Sequence, residues 1–299
     1  RSYSVTGVQT CALPICRDLQ ARAGGYFVFR GNESQVFTRC ARYKHRPGQA
    51  DMLHIDVWWR GLNIALDAGT FSYNMPGSGD SFFAETAFHN SVTVDGSGQM
   101  HRAGRFVWLP WVTGRVRCER HSDHLFFWQG DHDGYRRLPS PVHYSRSIIR
   151  LPEDSWLILD SLQAESEHEY TLHWLLADVS FSRLGDFSWE LLTSRGPYRL
   201  YCGTLQGRLS SRVTRAEEHS NEGWQSPFYL HKTPARSITL SSRRTSQLMW
   251  SLFSPMQLTI SPDLVINSPS WQADVQFDPE LLHVSRINLT GRFTDSIRV

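Results

Sequence analysis

The residues best suited to chemistry lie between Asp67 and Gly96. Asp67-Ala68-Gly69-Thr70-Phe71-Ser72-Tyr73 sets an acid and a phenol around a glycine turn. After a polar spacer, Thr86-Ala87-Phe88-His89-Asn90-Ser91-Val92-Thr93-Val94-Asp95-Gly96 opens an alternating run with a His-Asn pair. A carboxylate and an imidazole can ligate a metal or move a proton. A tyrosine adds a second proton carrier or a ring for stacking on sugar. Strand ends suit such groups, because a rigid scaffold can hold them while the loops stay open to a ligand. Each residue also has a plainer reading: Asp67 fastens a turn, His89 ties Asp67 to the strand opening, and Tyr73 packs at a rim.

The elements that must position these groups are strands. In Leu53-His54-Ile55-Asp56-Val57-Trp58-Trp59 the odd positions share one apolar face, and His54, Asp56 and Trp58 share the other. Arg60-Gly61 then predicts a tight turn into Leu62 to Leu66. Similar runs cover Tyr26 to Arg30, Gln35 to Tyr43, Ser91 to Asp95, Phe106 to Arg117, Leu125 to Gly130, Val142 to Leu151, Trp156 to Leu162 and His168 to Leu176. They continue through Trp271 to Phe277 and Val284 to Leu289, punctuated by Gly, Pro, Asp and Ser. Short helical turns are expected near Asp80 to Thr86 and Ala216 to Glu222, and no long amphipathic helix. The fold class is all-β, a large antiparallel β-sandwich of the two-layer super-sandwich kind. No fixed-period repeat supports a propeller or solenoid.

With 299 residues, 40% hydrophobic and 20% charged, the chain can bury a sizeable core. No apolar run reaches the ~18 residues of a membrane helix, and a net charge of +2 gives no nucleic-acid footprint. Apart from Lys44 and Lys232 the basic residues are arginines, whose forks match carboxylates and sulfates; a GC-rich coding sequence gives the same bias. Val5 to Ile15 follow the reading frame of a sequencing adapter, so residues 1–16 are set aside and 17–299 are read as the domain. Cys40, Cys118 and Cys202 show no CxxC spacing and read as buried thiols.

From Gln49 through Asp95 the sequence resembles the C-terminal β-sandwich domain of the heparinase II/III-like polysaccharide lyases. The resemblance is carried by Gln49-Ala50-Asp51-Met52-Leu53-His54-Ile55-Asp56 and by the Asp67 and His89 segments. Gln99, Met100, Arg102, Phe106 to Trp111, Trp224, Ser226 and Tyr229 add to it. It implies a carbon–oxygen lyase that cleaves uronic-acid glycans by β-elimination, the sandwich forming one wall of the cleft. It further implies an acidic polysaccharide as ligand, an α/α toroid of the same protein as partner, and a periplasmic or secreted location. The toroid brings most of the proton-transfer groups, so this chain alone is expected to be inactive. His89 and Tyr73 are the candidate catalytic residues. Gln49, Asp51, Asn90, Arg102, Arg105 and Trp108 are the candidate substrate contacts, and Asp67 and His89 the candidate metal ligands.

The sequence departs from the family at one point. Where the family carries His-x-His-x-Asp, this chain has Pro47, Gln49 and Asp51. Some members bind zinc through the second of those histidines, the Asp before the glycine turn and the last His. Gln is a poor zinc donor and two good ligands are too few, so no cofactor is expected, His45 or His54 being the residues that could restore a third ligand. Gln49, Asp67 and His89 are expected instead to form a hydrogen-bonded substitute. The competing reading is a non-catalytic carbohydrate-binding or structural sandwich tied to exopolysaccharide metabolism. In the plainer reading His54 is a satisfied sheet residue, Arg102 and Arg105 are solvated and Trp108 packs inward. His168 and His173 are given no role.

Overall fold

The computed structural model describes residues 18–73, 82–217, 220–278 and 282–299. The adapter-like segment and Asp80 lie outside them. Among the described residues the strand ladders are antiparallel, and most strands join one 15-stranded sheet. Two long strands explain how so wide a sheet becomes a sandwich. Ser155–Leu176 and Arg236–Ser254, of 22 and 19 residues, pair with each other along their lengths, with a register shift between Gln163 and His168. One half of this pair runs beside Val142–Leu151 and Gly196–Thr204. The other half runs beside Val92–Val94, Ser210–Arg215 and the end of Leu62–Ala65. The sheet therefore continues from a middle layer into an outer layer. A separate five-stranded sheet, Thr259–Ile260 to Asp295–Arg298, makes a third layer.

Side chains from the two faces of the middle layer enter different cores. Phe126, Trp128, Ile148, Ile158 and Phe253 point toward the outer layer with Phe29, Val57 and Trp174. Leu125, Phe127, Ile149, Leu157 and Leu252 point the other way, onto Ile266, Trp271 and Leu289. A strand buried on both faces needs no polar alternation, so Phe126–His132 is buried at every position. Strands of the outer layers alternate, as Ile55–Trp59 and Trp271–Phe277 do.

The structure is the expected large antiparallel sandwich, with the five-stranded sheet as an added layer. The run Phe106 to Arg117 is two strands, Val107–Leu109 and Gly114–His121, separated at Pro110, which has no N–H for a ladder. The runs ending at Leu162 and starting at His168 are one strand. Its exposed stretch Glu165 to Glu167 is polar because it passes between layers. The helical turns near Thr86 are two short 3₁₀ turns, Phe82–Ala84 and Thr86–Phe88. The described part of Ala216 to Glu222 is instead a loop closed by Ala216 N–H donating to Gly223 O at 2.9 Å. Arg60 and Gly61 both have positive φ, 49° and 77°, as a two-residue hairpin turn requires.

Candidate functional site

Three chain segments meet at one end of the outer layer. His54 stands just before the strand Ile55–Trp59, after Leu53 at φ 60°. Asp67 follows the strand Leu62–Ala65, and His89 caps the 3₁₀ turn Thr86–Phe88 in an extended conformation. Asn90 fastens the three. Its Nδ2 donates to Ile55 O at 2.7 Å and Leu66 O at 2.9 Å, and its Oδ1 accepts from Leu175 N at 2.6 Å. Its backbone N–H donates to His54 Nδ1 at 3.0 Å. Its carbonyl accepts from Arg146 Nη1 at 2.5 Å, and the same nitrogen holds Leu53 O at 2.7 Å. Arg146 is wholly buried and paired with Asp160 at 2.6 Å, so its charge is compensated where water cannot reach.

The cluster centres on Asp67. Its Oδ2 accepts from His89 Nδ1 at 3.1 Å and lies 3.5 Å from His54 Nε2, while Gly69 N–H reaches Oδ1 at 2.6 Å. His54 Nε2 also donates to Asp56 Oδ1 at 3.1 Å. Burial raises the Asp67 pKa, but the charge and hydrogen bond of His89, then His54 and the Gly69 N–H, outweigh it and hold the carboxyl well below the usual range. For His54, burial lowers the pKa and the Asp56 hydrogen bond and charge raise it, with Asp67 behind them, the balance being upward. A second proton on His54 would have to sit on Nδ1, against the Asn90 N–H. Behind His89, His173 Nδ1–H donates to His89 O at 3.1 Å and Ser237 Oγ donates to Nε2 at 2.7 Å. Burial pushes the His173 pKa down to about 4, so this ring is neutral. His54 and His89 are 2% and 0% exposed, whereas the Asp67 side chain is 32% exposed: the cluster meets solvent through its carboxylate.

Asp67, Gly69 and Tyr73 share a loop sewn to the hairpin Trp224–Phe228 and His231–Pro234. Ser226 N–H donates to Ala68 O at 2.7 Å, Gln225 Nε2 to Asp67 O at 3.3 Å, and Leu230 N–H to Phe71 O at 2.7 Å. Leu66, Ala68, Phe83 and Leu175 pack beneath, with Phe71 and Trp224 against them. On the outside, Tyr73 stacks on Tyr229 at 5.7 Å and meets Phe106 at 5.2 Å, and all three rings are more than two-fifths exposed.

The remaining sequence-derived candidates are spread around this centre. Gln49 Nε2 donates to Thr70 Oγ1 at 3.2 Å, so the third place beside Asp67 and His89 belongs to His54. Asp51 is buried and engaged by Arg39 Nη1 at 2.5 Å and Tyr43 OH at 3.3 Å. Asn90 is fully buried with each side-chain polar atom used inside the protein, which leaves it no group for a substrate. His89, at 0% exposed, reaches a ligand only through Asp67. Trp108 is 3% exposed with Nε1 on Gly48 O, so its ring face is packed rather than offered. Arg102 lines a separate cleft of about 490 Å³ with Glu85, His101 and Arg137. Arg105 is exposed in the turn between His101–Gly104 and Val107–Leu109. Sequence reasoning passed over Arg146 and Asp160; the signal available was a charge inside each of two apolar runs.

Asp95, His168 and Ser140 also line up, with Asp95 Oδ2 to His168 Nδ1 at 2.6 Å and His168 Nε2 to Ser140 Oγ at 3.1 Å. Ser140 lies between Pro139 and Pro141, neither of which has an N–H, so the residue after the hydroxyl cannot donate to an oxyanion. Asp95 takes the Glu169 N–H at 2.8 Å as well, and the trio fastens two strand ends.

One ligand atom from each of His54, Asp67 and His89 lies within 4.8 Å of the others. Neutral imidazole has one N–H and one lone pair. His54 spends its lone pair on the Asn90 N–H, so the nitrogen facing Asp67 carries the proton. As arranged, the set offers two ligands and does not fit zinc, which takes three or four from the protein.

The class is a layered antiparallel sandwich with an Asp-Ala-Gly turn facing a His-Asn pair. The family description "Heparinase II/III-like, C-terminal" matches residues 17–261, and the chain belongs to that family. Among solved structures it is similar to a heparinase III, the BT4657 gene product, at 14% identity and a TM-score of 0.71, covering 96% of this chain and 43% of that one. It is also similar to another heparinase III, at 12% identity, a TM-score of 0.70 and the same coverage. A third is the heparan sulfate lyase HepC from Pedobacter heparinus, at 15% identity, a TM-score of 0.67 and again 96% and 43%. At such identities the likeness is one of fold, and the chain spans less than half the length of each. No curated protein matches the chain. Among the described residues no helix is long and apolar enough to cross a membrane.

Proposed function

We propose that this chain forms the glycan-facing wall of a lyase that cleaves acidic polysaccharides by β-elimination, opposite an α/α toroid of the same protein. The observation that carries the reading is the Asp67 cluster, opening to solvent beside the exposed Tyr73–Tyr229–Phe106 rings. In β-elimination the C5 proton is α to a carboxylate. That carboxylate must be neutralised, the proton removed and the departing O4 protonated. Tyr73 is the proton-transfer group of this wall that a sugar can touch; His89, being buried, positions Asp67 instead. Stacked tyrosines present a flat apolar ring edged by a hydroxyl, which suits a sugar face. The names of the similar structures support the substrate class.

The test has two arms. Titration calorimetry with uronic-acid oligosaccharides is expected to show binding, weakened about 10-fold in Tyr73→Ala or Tyr229→Ala, the loss expected for one stacked ring. Ultraviolet absorbance of an unsaturated product is expected to stay flat with this chain alone. Absence of binding at millimolar ligand would refute the glycan reading, and clear turnover would refute the division of labour. The full burial of His89 favours a second reading, a sandwich that binds glycan without cleaving it. Tyr73→Phe in the complete protein separates the two, since it removes the proton carrier and keeps the ring.

A further inference from the structure

We infer that this wall is built without zinc, a hydrogen-bonded set taking the place of a metal ion: His89 Nδ1–H and Gly69 N–H donate to Asp67, and His54 Nε2–H, given to Asp56, stands 3.5 Å from the same carboxylate. The inference stands whether or not the cleft binds glycan. It rests on how firmly the His54 tautomer is set. The Asn90 N–H points at His54 Nδ1 from 3.0 Å, and Asn90 cannot turn it elsewhere. Its side chain is held by Ile55 O, Leu66 O and Leu175 N, and its carbonyl by Arg146. Turning the His54 ring over would place a carbon against that N–H and leave a buried donor unpaired. Ligation through Nε2 as it stands would need an imidazolate.

The other histidine meets a parallel obstacle. If His89 Nδ1 bound a metal, its proton would move to Nε2, a buried atom with no hydrogen-bond partner. Metal-binding histidines ordinarily hand that second N–H to a carbonyl or carboxylate. In the arrangement observed, the N–H groups of His89 and Gly69 donate to Asp67 and that of His54, donated to Asp56, stands 3.5 Å away; together they supply the positive field a cation would. His54, its ring set by the Asn90 N–H, thus acts as a positioning residue.

The experiment measures metal and tautomer in the purified 299-residue chain. Elemental analysis is expected to find less than about 0.1 zinc per chain. Neither EDTA nor added zinc should move the melting temperature by more than about 1 °C. Nitrogen-15 NMR of the histidines, with His54 assigned by loss of its signal in His54→Gln, should show its proton on Nε2. If that variant fails to fold, the wild-type metal content and melting still decide. About one zinc retained per chain, a zinc-induced rise of about 5 °C or more that Asp67→Ala abolishes, or a proton on Nδ1 would overturn the inference.

Discussion

Asp67 is a carboxylate whose value lies in the donors around it. Asp67→Asn keeps the shape but replaces one acceptor oxygen with an NH₂ group, which must face an imidazole N–H or a backbone N–H. One buried donor loses its partner, and the cost is expected to be about 1–3 kcal/mol by urea denaturation at pH 7. The pH dependence sharpens this. The folded pKa of Asp67 is depressed, so its contribution is complete above the ordinary carboxylate value of about 3.9 and is lost as pH falls through the lowered one. Buried His173, with its pKa lowered to about 4, acts earlier: the unfolded ring takes up a proton below about 6.5 while the folded one does not. Wild type and Asp67→Asn should therefore lose stability in parallel from pH 6.5 to 4, and the gap between them should close only below about pH 4. A gap that closes above pH 5 would show that Asp67 is not the clamped group.

At the scale of elements, the loop from Asp67 to Tyr73 depends on one close approach. Gly69 has φ 78°, and a Cβ there would lie 2.0 Å from Ser226 O, on the backbone of the neighbouring hairpin. Gly61 has nearly the same φ, 77°, with open space around it. The two glycines separate strain from contact. Gly61→Ala is expected to cost about 1 kcal/mol, the conformational penalty alone. Gly69→Ala should cost roughly 2–4 kcal/mol, because the hairpin must also move, and limited proteolysis should then cut near Tyr229. Equal costs at both sites would mean that the hairpin is not held by this contact. The turn at Gly61 was legible in the sequence because its geometry is local; the need for Gly69 was not, because the atom it avoids is 157 positions away. The candidate site divides in the same way. Asp67 and His89 announced themselves by motif. His54 stood out less, since what gives it meaning is a backbone N–H, and Asn90 looked like a ligand contact although its polar atoms all face inward.

At the scale of the whole molecule, the strands buried on one face were read almost to the residue, as at Tyr26–Arg30 and Trp271–Phe277. The long strand Ser155–Leu176 reads in the sequence as two fragments, because the polar residues of its crossing look like a loop. The third layer gave no sign in local pattern that it would cover the middle one. It also runs past Ser261, where the family match ends. Truncation after Ser261 is expected to bare Leu125, Phe127, Ile149 and Leu157, which face Ile266, Trp271 and Leu289. An exposed apolar face of that kind binds dye and self-associates. Strong dye fluorescence and aggregation on a sizing column are the expected readouts; a well-behaved monomer would show that the middle layer needs no cover.

Ser155–Leu176 and Arg236–Ser254 each run as one strand from the middle layer into the outer one, hydrogen-bonded to each other on both sides of the crossing, where the register shifts between Gln163 and His168. They act as two girders bolted side by side. A swing of the surface carrying Asp67 against the body behind it would have to bend both strands together at that crossing. That surface serves as an anvil: whatever moves against it meets a surface continuous with the body behind it.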